Sequence, residues 1–241
     1  MTLTARRFYR YGVFLRNYFA FRRLTRKGSS RPLPRWHDRY PCLDDNTRST
    51  EFDRHYIYHP AWAARIIAAH RPPEHIDISS TLHFSSMISA FVPVQFFDYR
   101  PADVRLSNLR AGQADLLALP FATHSIASLS CMHVVEHIGL GRYGDPLDPD
   151  GDRKAIRELC RVLAPGGSLL FVVPVGTPRI EFNAHRVYGP DEILHLFGEL
   201  QLREFTLIPE KAEDGGPVTN PPRALVERQQ YGCGCFWFTR G

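Results

Sequence analysis

Between residues 74 and 210, short apolar runs alternate with segments of helical period. His75–Ser79 (HIDIS), Val94–Tyr99 (VQFFDY) and Ile126–Cys131 (IASLSC) read as short strands, and another is expected near Ala114–Leu119. Ser168–Val175 (SLLFVVPV) is apolar throughout, the pattern of a strand covered on both faces. Helices are predicted over Ala61–His70, Phe84–Phe91, Asp152–Leu163 and Pro190–Phe197. In Asp152–Leu163 the apolar Ile156, Leu159, Cys160 and Leu163 share one face. Two more strands are expected at Leu202–Ile208 and Gly234–Thr239. Strands alternating with helices across short loops predict an α/β fold, a Rossmann-like, mainly parallel sheet of about seven strands with helices on both faces. Ligands in such sheets bind at the carboxyl ends of the strands.

Charge divides the chain. Residues 1–40 carry eleven Arg or Lys and one acid, Asp38, whereas the remainder holds 19 basic and 24 acidic residues. The basic excess therefore belongs to a tail, and no body-wide nucleic-acid footprint is expected. Residues 4–26 place Phe8, Tyr11, Leu15, Tyr18 and Phe19 at helical spacing among arginines. Such a helix could dock on an anionic membrane surface or a protein partner, or pack on its own domain. Arginines interrupt every candidate apolar core of a signal peptide, and no run approaches a membrane span. Lys27–Pro41 has the Gly, Ser and Pro content of a linker, which places a basic extension and linker at 1–41 and a folded domain at 42–241. The five scattered cysteines make no disulfide framework, and a reducing cytoplasm suits them, with the inner membrane surface as a peripheral location.

The run from Ala114 to Gly176 carries a family signature. An acid-containing turn leads to Leu119-Pro120-Phe121, a strand follows, then Glu136-His137. A helix next ends in Leu163-Ala-Pro165-Gly166-Gly167 before an apolar strand. This order resembles the class I S-adenosylmethionine-dependent methyltransferases, and the likeness spans residues 74–210. It implies that Asp98, at the end of the second strand, holds the ribose hydroxyls of the cofactor. It implies that Asp115 contacts the adenine amino group, and that Asp77, Leu116 and His133 also line the cofactor site. Asp98 could instead pair with Arg100 or Arg105, and Asp115 could be a turn residue.

The glycine motif of that family is replaced. Asp77-Ile78-Ser79-Ser80-Thr81-Leu82-His83 stands where acid-x-Gly-x-Gly-x-Gly is expected. Each side chain adds a Cβ where the loop needs close approach and positive φ. Ser79, Ser80 and Thr81 could alternatively cap the next helix and present hydroxyls to the methionine end of the cofactor. Only 16 residues separate Asp98 from Asp115, so the helix normally found there is shortened or lost. DYRP and FNAHRVY resemble a poorly characterised branch associated with surface polysaccharide, which implies a sugar or glycan acceptor. Methyl transfer needs alignment of donor and acceptor and, for some acceptors, a base. His137 or Glu136 could be that base, and His185 with Arg186 could close over an anionic acceptor, or these residues could brace loops. A non-catalytic binding protein, or one binding another nucleotide or sugar, would keep the fold without the chemistry. His133-Val-Val-Glu136-His137 also spells H-x-x-E-H, a zinc signature that needs a long helix. It follows a strand and precedes three glycines, so no metal site is expected from it. Cys233 and Cys235 form C-x-C, too tight for C-x-x-C redox chemistry.

Overall fold

A computed structural model describes residues 3–241. The chain forms two compact units, Met1–Phe52 and Asp53–Gly241, so the division falls after the expected linker boundary at residue 41. In the first unit, α1 (Leu3–Gly28) is helical throughout. The following segment folds back on it. Trp36 stands edge-on to Tyr18 at 5.3 Å between centroids, and the Tyr18 hydroxyl donates to the Pro34 carbonyl (3.1 Å). Phe8, Phe19, Phe21 and Leu24 remain exposed. Phe8 and Phe19 fall on one side of the helix and Phe21 on the other, so they form no single apolar stripe. No described helix is long and apolar enough to cross a membrane.

The second unit is an eight-stranded sheet. Its strands are β1 (His75–Ile78), β2 (Val94–Asp98), β3 (Leu109–Gln113), β4 (Ile126–Met132), β5 (Leu163–Val175), β8 (Gln201–Ile208), β9 (Val218–Thr219) and β10 (Gly232–Thr239). The order is β3-β2-β1-β4-β5-β10-β8-β9. Strands β1 to β5 are mutually parallel, and β10 runs antiparallel between β5 and β8. A separate ribbon pairs β6 (Arg179–Glu181) with β7 (His185–Val187). The α/β expectation thus holds, with β9 and the ribbon as additions.

The helices divide between the faces. Along β5, Phe171 and Val173 join the core containing Ala155, Ile156 and Leu159 of α4 (Gly151–Val162). Leu170 and Val172 join the opposite core. That core contains Trp62, Ala63 and Ile67 of α2 (Arg54–His70), and Phe84 and Ile88 of α3 (Leu82–Ile88). This explains the unbroken apolar run, since each alternate residue meets a different helical layer. The short α5 (Pro190–Leu196) closes the α4 side with buried Ile193.

Strand β5 begins at Leu163 rather than Ser168, α3 spans Leu82–Ile88 rather than Phe84–Phe91, and two further elements depart from the sequence reading. Helix α2 starts at Arg54 rather than Ala61, because Asp53 caps it by accepting from the Tyr56 N–H (3.2 Å). Pro60 lies inside the helix, which persists because His59, Pro60, Trp62 and Ala63 are buried together. The third strand lies at Leu109–Gln113, ahead of the segment expected near Ala114–Leu119. Between Tyr99 and Asn108 there is no helix, as the short spacing required.

Candidate active site

The strand order reverses between the parallel neighbours β1 and β4, since the chain builds outward from β1 to β3 on one side and from β4 to β5 on the other, and this leaves a crevice at their carboxyl ends. Ser79, Asp98, Asp115, Leu116, His133 and His137 all line one cavity there, of about 200 Å³. They come from the ends of β1, β2, β3 and β4, so parallel strand order alone brings together residues spread over the central part of the chain. Tyr99, Arg100, Ile138, Gly139, Tyr143 and Asp145 complete much of the wall.

The carboxylate of Asp98 accepts one hydrogen bond at Oδ1, from the Arg100 N–H (2.8 Å). Arg105 pairs with Asp103, and the Arg100 guanidinium lies over the Tyr143 ring, 4.8 Å from its centroid. Neither arginine neutralises Asp98, and no ion pair among the described residues uses it. Asp115 accepts from the Leu117 N–H (2.8 Å) while facing the cavity. It therefore shapes a turn and presents a carboxylate at once.

Of the three replaced glycine positions, the first keeps a backbone conformation that glycine favours, whereas Thr81 is extended and His83 is helical. Ser79 has φ of 55°, in the left-handed region. Its N–H (2.7 Å) and its hydroxyl (3.1 Å) both donate to the Phe97 carbonyl, which holds the turn. Ser80 and Thr81 do not reach the cavity lining. The Ser80 hydroxyl accepts from the Met132 N–H (3.1 Å), and Thr81 caps α3 by accepting from the Phe84 N–H (3.3 Å). The capping reading holds for Thr81, and the hydroxyls of Ser80 and Thr81 are engaged within the fold.

Asp77 is fully buried and also lies off the cavity. Its carboxylate accepts from the hydroxyls of Ser130 (2.5 Å) and Ser85 (2.6 Å). His75 extends this network, its ring nitrogens 2.8 Å from Ser128 Oγ and 2.9 Å from Ser130 Oγ. Burial raises the Asp77 carboxyl to about 6, against the hydroxyl bonds, and lowers His75 to about 3. The network joins β1 to β4 beneath the crevice.

His137 Nδ1 is 2.7 Å from the Ala184 carbonyl. That bond requires Nδ1 to carry the proton and leaves a lone pair on Nε2, the tautomer of a base. Burial lowers its pKa, against the opposing pull of Glu136. Glu136 itself sits behind the histidines, 1% exposed, with Oε1 2.8 Å from His133 Nδ1. It is placed to orient imidazole rather than to meet a ligand. His185 lies outside the lining, its ring 6.4 Å from that of His137. Arg186 does not close over the cavity: it is 4% exposed and donates to the Ile138 carbonyl (2.7 Å), bracing the loop after His137. Val135–His137 is a single 3-10 turn, so His133 and His137 do not share a helix face as H-x-x-E-H zinc binding requires.

The loop Gly139–Gly151 is tied rather than free. The Asp145 carboxylate accepts from the N–H groups of Gly139 (2.8 Å) and Tyr143 (3.2 Å). Burial pushes its pKa up, but these backbone bonds prevail and hold it below the usual carboxylate value. Tyr143 thereby stands over the cavity, a position that glycine-rich sequence gave no periodic signal for.

The N-methyltransferase NodS from Bradyrhizobium japonicum, solved with S-adenosylhomocysteine, aligns with TM-score 0.51 and 16% identity over 75% of this chain and 85% of that chain. The 1,6-didemethyltoxoflavin-N1-methyltransferase of Burkholderia thailandensis aligns with TM-score 0.51 and 12% identity, over 76% and 79%. The YcgJ protein from Bacillus subtilis does so with TM-score 0.51 and 15% identity, over 75% and 99%. The fold is that of the class I S-adenosylmethionine-dependent methyltransferases. Residues 118–206 also match a family described as Caenorhabditis protein of unknown function, DUF268. No curated protein matches the sequence. In this methyltransferase fold, the DUF268 match begins within the turn after Asp115 and runs through β4, α4 and β5 into β8.

Proposed function

We propose that this protein is an S-adenosylmethionine-dependent methyltransferase acting on a hydroxyl of a sugar or surface-polysaccharide precursor. The observation that carries the reading is the placement of Asp98 and Asp115 side by side at the ends of β2 and β3, in the cavity that also holds His133 and His137. The residues fit the cofactor on two counts. Asp98 has an unneutralised carboxylate suited to two ribose hydroxyls, and Ser79 retains the left-handed turn that glycine normally supplies.

In this reading Asp98 binds ribose, Asp115 the adenine amino group, and the Ser79 turn lies against the methionine end, flanked by Leu116 and His133. The cofactor supplies an electrophilic methyl group. His137 Nε2 takes the acceptor hydroxyl proton as the oxygen attacks, and its Nδ1–H bond to Ala184 holds the ring in place. The acceptor assignment rests on the DYRP and FNAHRVY resemblance. A second reading has a specific basis. Ser79, Thr81 and His83 occupy the glycine positions, which favours a same-fold protein that binds another nucleotide or sugar, or performs no chemistry.

Calorimetric titration with S-adenosylmethionine and S-adenosylhomocysteine separates them. Micromolar binding that is lost in Asp98→Ala, with the fold intact by circular dichroism, supports methyl transfer. No heat and no thermal stabilisation at millimolar ligand would remove it in favour of the second reading.

A further inference from the structure

Three ligating side chains from three separate elements converge on the α2 face of the sheet. They are His55 at the start of α2, His133 directly after β4, and Cys233 on β10. One nitrogen of each histidine and the Cys233 sulfur all lie within 4.8 Å of one another. His133 Nε2 is 3.5 Å from Cys233 Sγ. A tetrahedral zinc ion with Zn–N of about 2.0–2.1 Å and Zn–S of about 2.3 Å separates its nitrogen and sulfur ligands by roughly 3.5 Å. The pair is thus already at ligand spacing.

The other nitrogen of His133 supplies an independent observation. Nδ1 lies 2.8 Å from Glu136 Oε1, the carboxylate–histidine arrangement that orients metal-bound imidazoles. A proton on Nδ1 shared with Glu136 Oε1 leaves the Nε2 lone pair facing Cys233. Glu136 is 1% exposed, and its Oε2 has no hydrogen-bond partner among the described residues. Its ion-pair partners among them are His133 and His137 alone. A buried carboxylate facing only imidazoles lacks a compensating cation.

We propose that His55, His133 and Cys233 bind one zinc ion, with Glu136 fixing the His133 ring. The two-nitrogen, one-thiolate donor set suits zinc and not magnesium or calcium. Before binding, the Cys233 thiol donates its proton to His133 Nε2. On binding, the S–H bond breaks, a Zn–S bond forms, and the proton leaves to solvent. The dication then balances the Cys233 thiolate and the Glu136 carboxylate. Three protein ligands leave a fourth position for water or an oxygen ligand. His133 also lines the cavity, so the ion would sit at its wall. The site stands whether or not the cavity takes S-adenosylmethionine.

The test uses the full chain stripped with chelator and titrated with zinc and with cobalt(II). One cobalt per chain is expected, with the visible bands of a tetrahedral site and a thiolate-to-cobalt charge-transfer band in the near ultraviolet. Cys233→Ser should abolish the charge-transfer band. Cys235→Ser should keep it, although Cys235 Sγ lies only 3.9 Å from Cys233 Sγ. Glu136→Gln should weaken zinc binding about 10–100-fold. His55→Ala, at a half-buried helix start, should weaken binding with far-ultraviolet circular dichroism unchanged. Absence of stoichiometric cobalt binding by the unaltered protein would overturn the site. So would a charge-transfer band that survives Cys233→Ser or disappears in Cys235→Ser.

Discussion

The Nδ1 proton of His137 is committed to the Ala184 carbonyl, so its chemistry is confined to Nε2. Burial lowers its pKa from 6.5, which keeps the imidazole unprotonated near neutral pH. A base of this kind loses activity as pH falls through its own pKa, so the acid limb of the rate profile should lie below 6.5. His137→Ala should reduce transfer of a labelled methyl group to an accepted hydroxyl by about 10²–10⁴-fold. Affinity for S-adenosylhomocysteine should stay within about threefold, because Asp98 and Asp115 carry that binding in the proposed function. A matching loss of affinity would move His137 from proton transfer to cofactor binding. Sequence showed the residue but not its tautomer, since residue 184 is 47 positions away and only the fold brings its carbonyl into range. The same holds for Asp77. It matches an acid of the family motif, yet Ser85 and Ser130 enclose it, and a linear reading shows neither partner facing it.

Among elements, those with a clear period were legible and those set by caps or loops were not. Helix α4 declares itself through its apolar pattern and lies within a residue of where the sequence placed it, while the apolar run of β5 marks the core of that strand but not its start at Leu163. The start of α2 did not, because Pro60 reads as a helix beginning while the cap at Asp53 is a single carboxylate. His55 and His59 stayed hidden for the same reason, since outside a helix their i, i+4 spacing has no meaning. The bonds that tie the Gly139–Gly151 loop to Asp145 appear only in three dimensions. Its geometry makes a specific demand. Gly139 has φ of 79°, and a Cβ there would lie 2.1 Å from the Asp148 carbonyl oxygen. Gly139→Ala must therefore shift backbone, and should cost about 2 kcal/mol or more in denaturant unfolding. Because Gly139, Tyr143 and Asp145 form one wall of the cavity, ligand affinity should fall with it. An alanine variant of unchanged stability would show that the loop is free to re-form.

For the molecule as a whole, the buried histidines make stability depend on pH in a direction that can be worked out. His59 is buried with Nε2 lacking a hydrogen-bond partner among the described residues. Burial, then the neighbouring His133, drive its pKa well below 6.5, and burial alone brings His75 to about 3. Below pH 6.5 the unfolded chain takes up these protons while the folded chain does not, so stability falls as pH falls. Each such group contributes a slope of about 1.4 kcal/mol per pH unit where the difference is complete. Asp77 acts in the opposite sense. Its folded value of about 6 exceeds its ordinary 3.8, so within that interval the folded state holds the extra proton and gains stability as pH falls. One carboxyl offsets one histidine, and His59 and His75, joined by His137, outnumber it. Chelated protein, in which no metal occupies His55 or His133, should thus show a falling thermal midpoint between about pH 6.5 and pH 4. In Asp77→Asn the opposing gain is gone, and the midpoint should fall more steeply with acid even if it starts lower. Equal slopes for the two proteins would mean that Asp77 is ionised in the folded chain throughout the window, and that the Ser85 and Ser130 hydroxyls outweigh its burial.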